Sequence, residues 1–224
     1  PLRAGQTERF SIALVYGNDL DDLINNKKTV QDIYNSNYRF PPPPKKPTMT
    51  AVPGDGKVTL YWDRVAEESL DPVTKEKDFQ GYKIYRATDP NFNDVRNITD
   101  ANGLIQGYST LAQFDKKDEI KGYFYPSKNL FQDTKGYSFY LGDDSGLVHS
   151  YVDNDVQNGR TYYYALVAYD HGDEEKDIFP SENSKFISVL PTGQIITDQN
   201  TAYITPSSSA AEYSLNDTIK TAHQ

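Results

Sequence analysis

Four turns in the chain gather oxygen donors at short spacing. They are Asp89-Pro90-Asn91-Phe92-Asn93-Asp94, Asp100-Ala101-Asn102-Gly103, Leu141-Gly142-Asp143-Asp144-Ser145-Gly146 and Asp153-Asn154-Asp155. Side-chain and loop oxygens grouped in this way suit a hard cation, and Ca²⁺ takes roughly six to eight of them. Asp89, Asn91, Asn93 and Asp94 make one calcium candidate set, and Asp143 with Asp144 a second. None of the four turns has the full calcium-loop spacing with its closing Glu. Asp, Asn and Gly are also what tight turns select, so turn formation is the plainer account of the same residues.

Aromatic side chains form the other constellation. Tyr123, Tyr125, Tyr137, Phe139 and Tyr140 crowd one stretch, while Tyr61, Tyr85 and Tyr163 project from alternate strand positions. Rings with Asp and Asn nearby can stack on a glycan or seat a protein partner. Tyr123, Tyr125, Tyr137 and Tyr140 are therefore the candidate ligand or partner surface. The competing account is β-propensity and packing beneath an excursion of the chain.

Reaction chemistry is poorly represented. There is no Cys, which excludes a disulfide framework, a thiol nucleophile and thiolate zinc sites. The three histidines, His149, His171 and His223, lie far apart in sequence. Asp170-His171-Gly172-Asp173 has the composition of an acid–base or metal site, but it follows directly on a strand and reads as a loop. Glu67-Glu68 and Glu174-Glu175 read as solvated faces. No nucleotide, metalloprotease or nucleophile-elbow motif occurs. No catalytic residue is predicted, and the chain is expected not to be an enzyme. A net charge of −9, from 32 acidic and 23 basic residues, argues against nucleic acid and anionic membranes as partners. No stretch approaches the roughly 20 apolar residues of a membrane span. Pro1-Leu2-Arg3 begins with neither Met nor a signal peptide, so the chain reads as a piece of a longer polypeptide.

These residues need elements to hold them. Glu8–Tyr16 alternates Phe10, Ile12, Leu14 and Tyr16 against the remainder, the period of a strand. A helix then follows from Asn18 or Asp19 to about Asn35, with Leu20, Leu23, Ile24, Val30, Ile33 and Tyr34 on one stripe. One strand and one helix cannot bury two apolar faces, so residues 1–40 either pack on the next domain or end a preceding sheet. In the second case Phe10, Ile12, Leu14 and Tyr16 form an orphan strand suited to donation to another subunit. Pro41–Pro47 is a stiff proline-rich linker.

From Thr48 onward the pattern is all-β. Val58, Leu60 and Trp62 alternate inward, Tyr82 and Ile84 take one face of the next strand, and Tyr162, Tyr164, Leu166 and Ala168 take one face of a later one. Lys185–Leu190, closed by Pro191, is the expected last strand. The chain here resembles a fibronectin type III domain, an Ig-like β-sandwich. The resemblance rests on Pro47, Gly54–Gly56, Val58-Thr59-Leu60-Tyr61-Trp62, Gly81-Tyr82-Lys83-Ile84-Tyr85-Arg86 and the run from Val156 to Asp170. It implies that Tyr162 is a tyrosine-corner residue bonding back to the main chain near Val156, with Trp62, Tyr82 and Ile84 in the core. Ser181 and Ser184 sit where the family often places Ser before its last strand.

The expected architecture is thus mainly β. A strand and short helix occupy 1–40, a linker 41–47, a fibronectin type III-like sandwich 48–191 and an extended segment or linker 192–224. Such domains run to about 100 residues, so the surplus is assigned to an insertion at about 88–150. The resemblance implies a non-catalytic structural, adhesive or assembly module of a large bacterial secreted or cell-surface protein, located outside the cell. Its partners would be neighbouring domains or subunits of that assembly. The alternative is a carbohydrate-binding accessory module of a secreted hydrolase, with polysaccharide as partner. Ca²⁺ is the only cofactor the residues suggest.

Overall fold

A computed structural model of the chain describes residues 12–20, 23–24, 26–27, 30–31, 42–71, 75–125, 138–175 and 178–208. The chain divides into two units, Pro1–Pro41 and Pro42–Gln224.

In the first unit, Ile12–Gly17 takes no strand, and Ile12, Leu14 and Tyr16 are 98%, 77% and 74% exposed. This corrects the expected strand over its described part. A strand exists through the ladder it shares with a partner, and these residues share none among the described ones. Phe10 lies outside the described residues. Helical backbone occurs at Leu20, Leu23, Ile24, Asn26, Lys27, Val30 and Gln31, opened by a bond from the Leu23 amide to the Asp19 carbonyl (3.0 Å). The expected continuation from Asp32 to about Asn35 lies outside the described residues.

The second unit is mainly β. Its strands are β1 (Met49–Gly54), β2 (Lys57–Trp62), β3 (Phe79–Ala87), β4 (Ile98–Thr99), β5 (Ile105–Gly107), β6 (Ala112–Asp115), β7 (Gly122–Tyr123), β8 (Tyr140–Gly142), β9 (Ser150–Asp153), β10 (Tyr162–Asp170), β11 (Ile187–Val189), β12 (Ile195–Thr197) and β13 (Thr201–Ile204). All the pairings are antiparallel. One sheet runs β1-β2-β9 and another β13-β10-β3-β6; β4-β5, β7-β8 and β11-β12 are separate two-stranded ribbons.

Side-chain alternation explains how the two larger sheets meet. In β2, Val58, Leu60 and Trp62 are buried while Lys57 and Tyr61 are exposed. The hairpin from β1 into β2 turns on Asp55 and Gly56, whose φ of 60° favours glycine. Val58, Leu60 and Trp62 pack in one cluster with Tyr82 and Ile84 of β3 and Tyr162, Tyr164, Leu166 and Ala168 of β10. Each such aliphatic side chain contributes about 1.5–3 kcal/mol on burial. Several antiparallel sheets sharing a core of this kind are compatible with a β-sandwich.

The four-stranded sheet is covered on its second face as well. Tyr85, Ala87, Ala165 and Val167 point away from the first core and pack with Phe92 and Ile187, and a third cluster joins Phe124, Phe139, Leu141 and Tyr169. This is why eight of nine residues in β3, and likewise in β10, are buried.

Three expectations about extent differ from the structure. Within 88–150, β6 is a member of the four-stranded sheet, pairing Gly81↔Asp115 to Ile84↔Ala112 with β3. The expected last strand exists as β11, but it pairs with β12; the edge of the four-stranded sheet is β13, beyond Pro191. Tertiary pairing selects β13, because its ladder with Tyr162–Ala165 is fastened by the Asn200 amide on the Leu166 carbonyl (2.8 Å). The proline segment is likewise tied to the unit that follows it. The Pro44 carbonyl accepts from Asn183 (2.5 Å), the Lys45 amide donates to Ser69 (2.6 Å) and Lys46 pairs with Asp198.

Candidate functional site

Lys83 sits at the centre of β3, between the inward-facing Tyr82 and Ile84, so its side chain leaves the other face of the sheet. That face is covered, and the Lys83 side chain is 7% exposed. Its ammonium lies 3.5 Å from the centroid of the Phe139 ring and 4.7 Å from that of Tyr169. The nearest carboxylate oxygen is Oε2 of Glu182, at 3.8 Å. Desolvation disfavours the charged form, and burial pushes the Lys83 ammonium down to about 8 against the attraction of Glu182.

Glu182 has other partners. Both of its oxygens accept from the Tyr85 hydroxyl, at 3.1 and 2.9 Å, and Lys185 lies 3.7 Å away. Lys185 in turn rests over the rings of Tyr108 (3.6 Å) and Tyr85 (4.5 Å). Its pKa is also lowered, by burial, with Glu182 opposing. Beside these charges lies a cavity of about 440 Å³, lined by Lys83, Glu182 and the rings of Tyr85, Tyr108, Tyr123 and Tyr140, among others. Tyr123 and Tyr140 meet with ring centroids 5.1 Å apart, and Tyr85 and Tyr108 at 5.7 Å. A bond to Asp143 holds the Tyr140 phenol up to about 12. A concavity that joins several aromatic rings to a few convergent polar groups can hold a small ligand.

Of the predicted aromatic surface, Tyr123 and Tyr140 line this cavity. Tyr125 is 73% exposed with its amide donating to Glu174 (3.3 Å), and Tyr137 lies outside the described residues. Lys83, Glu182 and Tyr108 were missed by sequence reasoning, and Tyr85 was read as projecting from its strand rather than buried beneath it. A signal did exist: surplus residues after Ala87 must lie over something, and the second face of β3 was available.

Three carboxylates among the calcium candidates, those of Asp89, Asp94 and Asp144, are engaged by neighbouring groups of the chain. Asp89 Oδ2 accepts from the backbone and side-chain amides of Asn93 (3.0 and 2.7 Å), and Asp94 Oδ2 from the Thr88 amide and hydroxyl (2.7 and 2.9 Å). Asn91 is exposed. Asp144 accepts from the amides of Asp118 and Glu119 and pairs with Lys121 (3.0 Å), interactions that lower its pKa, led by the Lys121 bond. The loop carrying Asp143 and Asp144 is organised by Asp115, which is 1% exposed. Asp115 accepts from the Asp144 amide (2.6 Å) and from the amide and hydroxyl of Ser145 (3.0 and 2.6 Å). Gly142 is required there, since a Cβ on it would meet the Asp115 carboxylate. Among the described residues no group of three or more His, Cys, Asp or Glu side chains is placed to hold a metal ion.

The predicted core residues Trp62, Tyr82, Ile84, Val156 and Tyr162 all lie in the cluster between the two larger sheets. The Tyr162 hydroxyl accepts from the amide of Gln157, the residue after Val156 (2.9 Å). Nearby, Arg86 of β3 donates to both oxygens of the buried Asp153 (3.0 Å each), which also accepts from the Tyr164 hydroxyl (2.7 Å). Burial works against the Arg86 charge, but its bonds to Asp155 and Asp153 outweigh this and raise its pKa.

Glu67, read from sequence as solvated, is half-buried. Its Oε1 lies 2.5 Å from His149 Nε2 and accepts from Tyr82 (3.2 Å). Asp170 and His171 are fixed in their loop: Asp170 accepts from the amides of Gly172 and Ser181 and from the Ser181 hydroxyl, and His171 Nδ1 bonds the Gly172 carbonyl (2.6 Å). No helix among the described residues is long and apolar enough to cross a membrane. Comparison with family models, curated proteins and solved structures finds no match to this chain.

Proposed function

We propose that the chain is a fibronectin type III-like module with no reaction of its own, a structural and assembly unit of a larger bacterial secreted or cell-surface polypeptide. The observation that carries the reading is the sheet order, seven strands arranged as β1-β2-β9 and β13-β10-β3-β6, as an Ig-like sandwich has. The bond from Gln157 to the Tyr162 hydroxyl supports it at the corner before β10. Assembly would run through the exposed Ile12, Leu14 and Tyr16, with Phe10, donated as a strand to another copy. Two measurements test this. Interstrand proton contacts by NMR must reproduce the sheet order, and a different order sinks the module reading. Light scattering must show a mass that rises with concentration and falls to that of a monomer when residues 1–16 are deleted. A strict monomer whose residues 8–16 are protected internally from hydrogen exchange removes strand donation.

A second reading is favoured by the aromatic cavity beside Lys83: a carbohydrate-binding accessory module acting on polysaccharide outside the cell. Retention of the chain on insoluble glycans tests it. Loss of retention on Tyr123→Ala is the expected result, and no retention by the parent chain sinks it.

A further inference from the structure

The charges around the cavity point to the class of sugar it would take. Lys83 carries three N–H donors, yet among the described residues its nitrogen donates to no oxygen within 3.5 Å; two aromatic faces and a carboxylate at 3.8 Å surround it. Lys83 lines the cavity, so its ammonium is placed where an acceptor on a ligand can meet it. Glu182 is engaged elsewhere as well, since it holds the Tyr85 hydroxyl on both oxygens and shares its single charge with Lys185. Two ammoniums against one carboxylate leave a surplus positive charge, and Lys83 brings it to the cavity wall.

From this juxtaposition of a cavity-lining ammonium, 3.8 Å from its carboxylate neighbour, and two tyrosine pairs in one cavity, we infer that the site binds a uronic acid residue, with Lys83 as the anchor for its carboxylate. The inference rests on the carbohydrate-binding reading given above. A ligand carboxylate supplies the short charge-assisted hydrogen bond that Glu182 does not. The tyrosine rings offer flat apolar faces to the sugar ring, with Tyr123 at the rim, 54% exposed. A monoanion fits better than a phosphate, since no Arg lines the cavity to grip a dianion with a planar fork.

The test is calorimetric titration of the 224-residue chain with digalacturonic acid and, in parallel, with the neutral disaccharide of galactose, at low and moderate salt. The acidic sugar is expected to bind at least about tenfold more tightly at low salt, with the preference shrinking as salt rises. Lys83→Met is expected to abolish the preference for the acidic sugar. Tyr123→Ala, at an exposed position where folding is not at stake, is expected to weaken both sugars. Equal affinity for the two sugars overturns the uronate inference and leaves the carbohydrate reading standing. A preference that survives Lys83→Met overturns the anchor. No binding of either sugar overturns both readings.

Discussion

Replacing Lys83 with Met removes a buried charge and nearly conserves volume, so its effect on stability can be worked from the structure. The Lys83 ammonium falls from 10.5 to about 8 on folding. At about 1.4 kcal/mol per pKa unit, keeping it charged at pH 7 costs on the order of 3 kcal/mol. Met recovers that cost but gives up the ring contacts with Phe139 and Tyr169, together about 1–2 kcal/mol. Lys83→Met is therefore expected to stabilise the fold by about 1–2 kcal/mol at pH 7. The pH dependence has a definite sign. The folded pKa lies below the unfolded one, so between about pH 8 and 10.5 the unfolded chain binds more protons and the parent gains stability as pH rises. The advantage of the variant should shrink over that window. Urea unfolding followed by the fluorescence of Trp62, the single tryptophan and a buried one, reads this for both proteins at pH 7 and pH 10.5. A variant less stable than the parent at pH 7, by an amount that does not change with pH, refutes the reasoning.

Four other perturbations have defined outcomes. Arg86→Met leaves Asp153 buried with no cation beside it and should cost about 3–5 kcal/mol in urea unfolding. Adding Asp153→Asn should recover part of that loss. Tyr162→Phe deletes the acceptor of the Gln157 amide and should cost about 1–2 kcal/mol, and no loss would show that the corner bond is idle. Asp115→Ala removes the acceptor that holds Asp144 and Ser145 and should cost about 2–4 kcal/mol, with faster amide exchange confined to residues 143–146. The parent melting temperature should be unchanged by a chelator, because the carboxylates of Asp89, Asp94 and Asp144 are engaged within the chain, and a rise on adding Ca²⁺ would contradict this.

Val58, Leu60 and Trp62 announced an inward face in the sequence because a strand with one dry side and one wet side writes its period of two directly into residue type. The same rule made Tyr82, Ile84, Tyr162 and Leu166 legible as core. It fails where a strand is dry on both sides. Lys83 sits at a position that reads as outward and polar, yet it is buried, because nothing in the local pattern says what the chain will lay over that face. Glu67 is hidden for a similar reason, since its partners His149 and Tyr82 are distant in sequence. β13 was not legible either. Thr201-Ala202-Tyr203-Ile204 is short and half polar, and its strand character comes from the ladder with β10.

The acidic turns mark the boundary most clearly. Residue type alone placed turns at Asp89–Asp94 and Asp143–Ser145, because Asp, Asn and Gly satisfy turn backbones whatever surrounds them. Whether their oxygens face a cation or the chain's own amides depends on what arrives from elsewhere in the sequence. At Asp143–Ser145 it is the buried carboxylate of Asp115 that folds the loop around itself. Sequence by itself determined the β class, the inward faces and the turns, since each follows from the local balance of apolar burial and backbone geometry. Only the tertiary structure decided that a lysine, a glutamate and four tyrosine rings share one cavity, because that juxtaposition joins segments as distant as Tyr85 and Glu182, 97 residues apart along the chain.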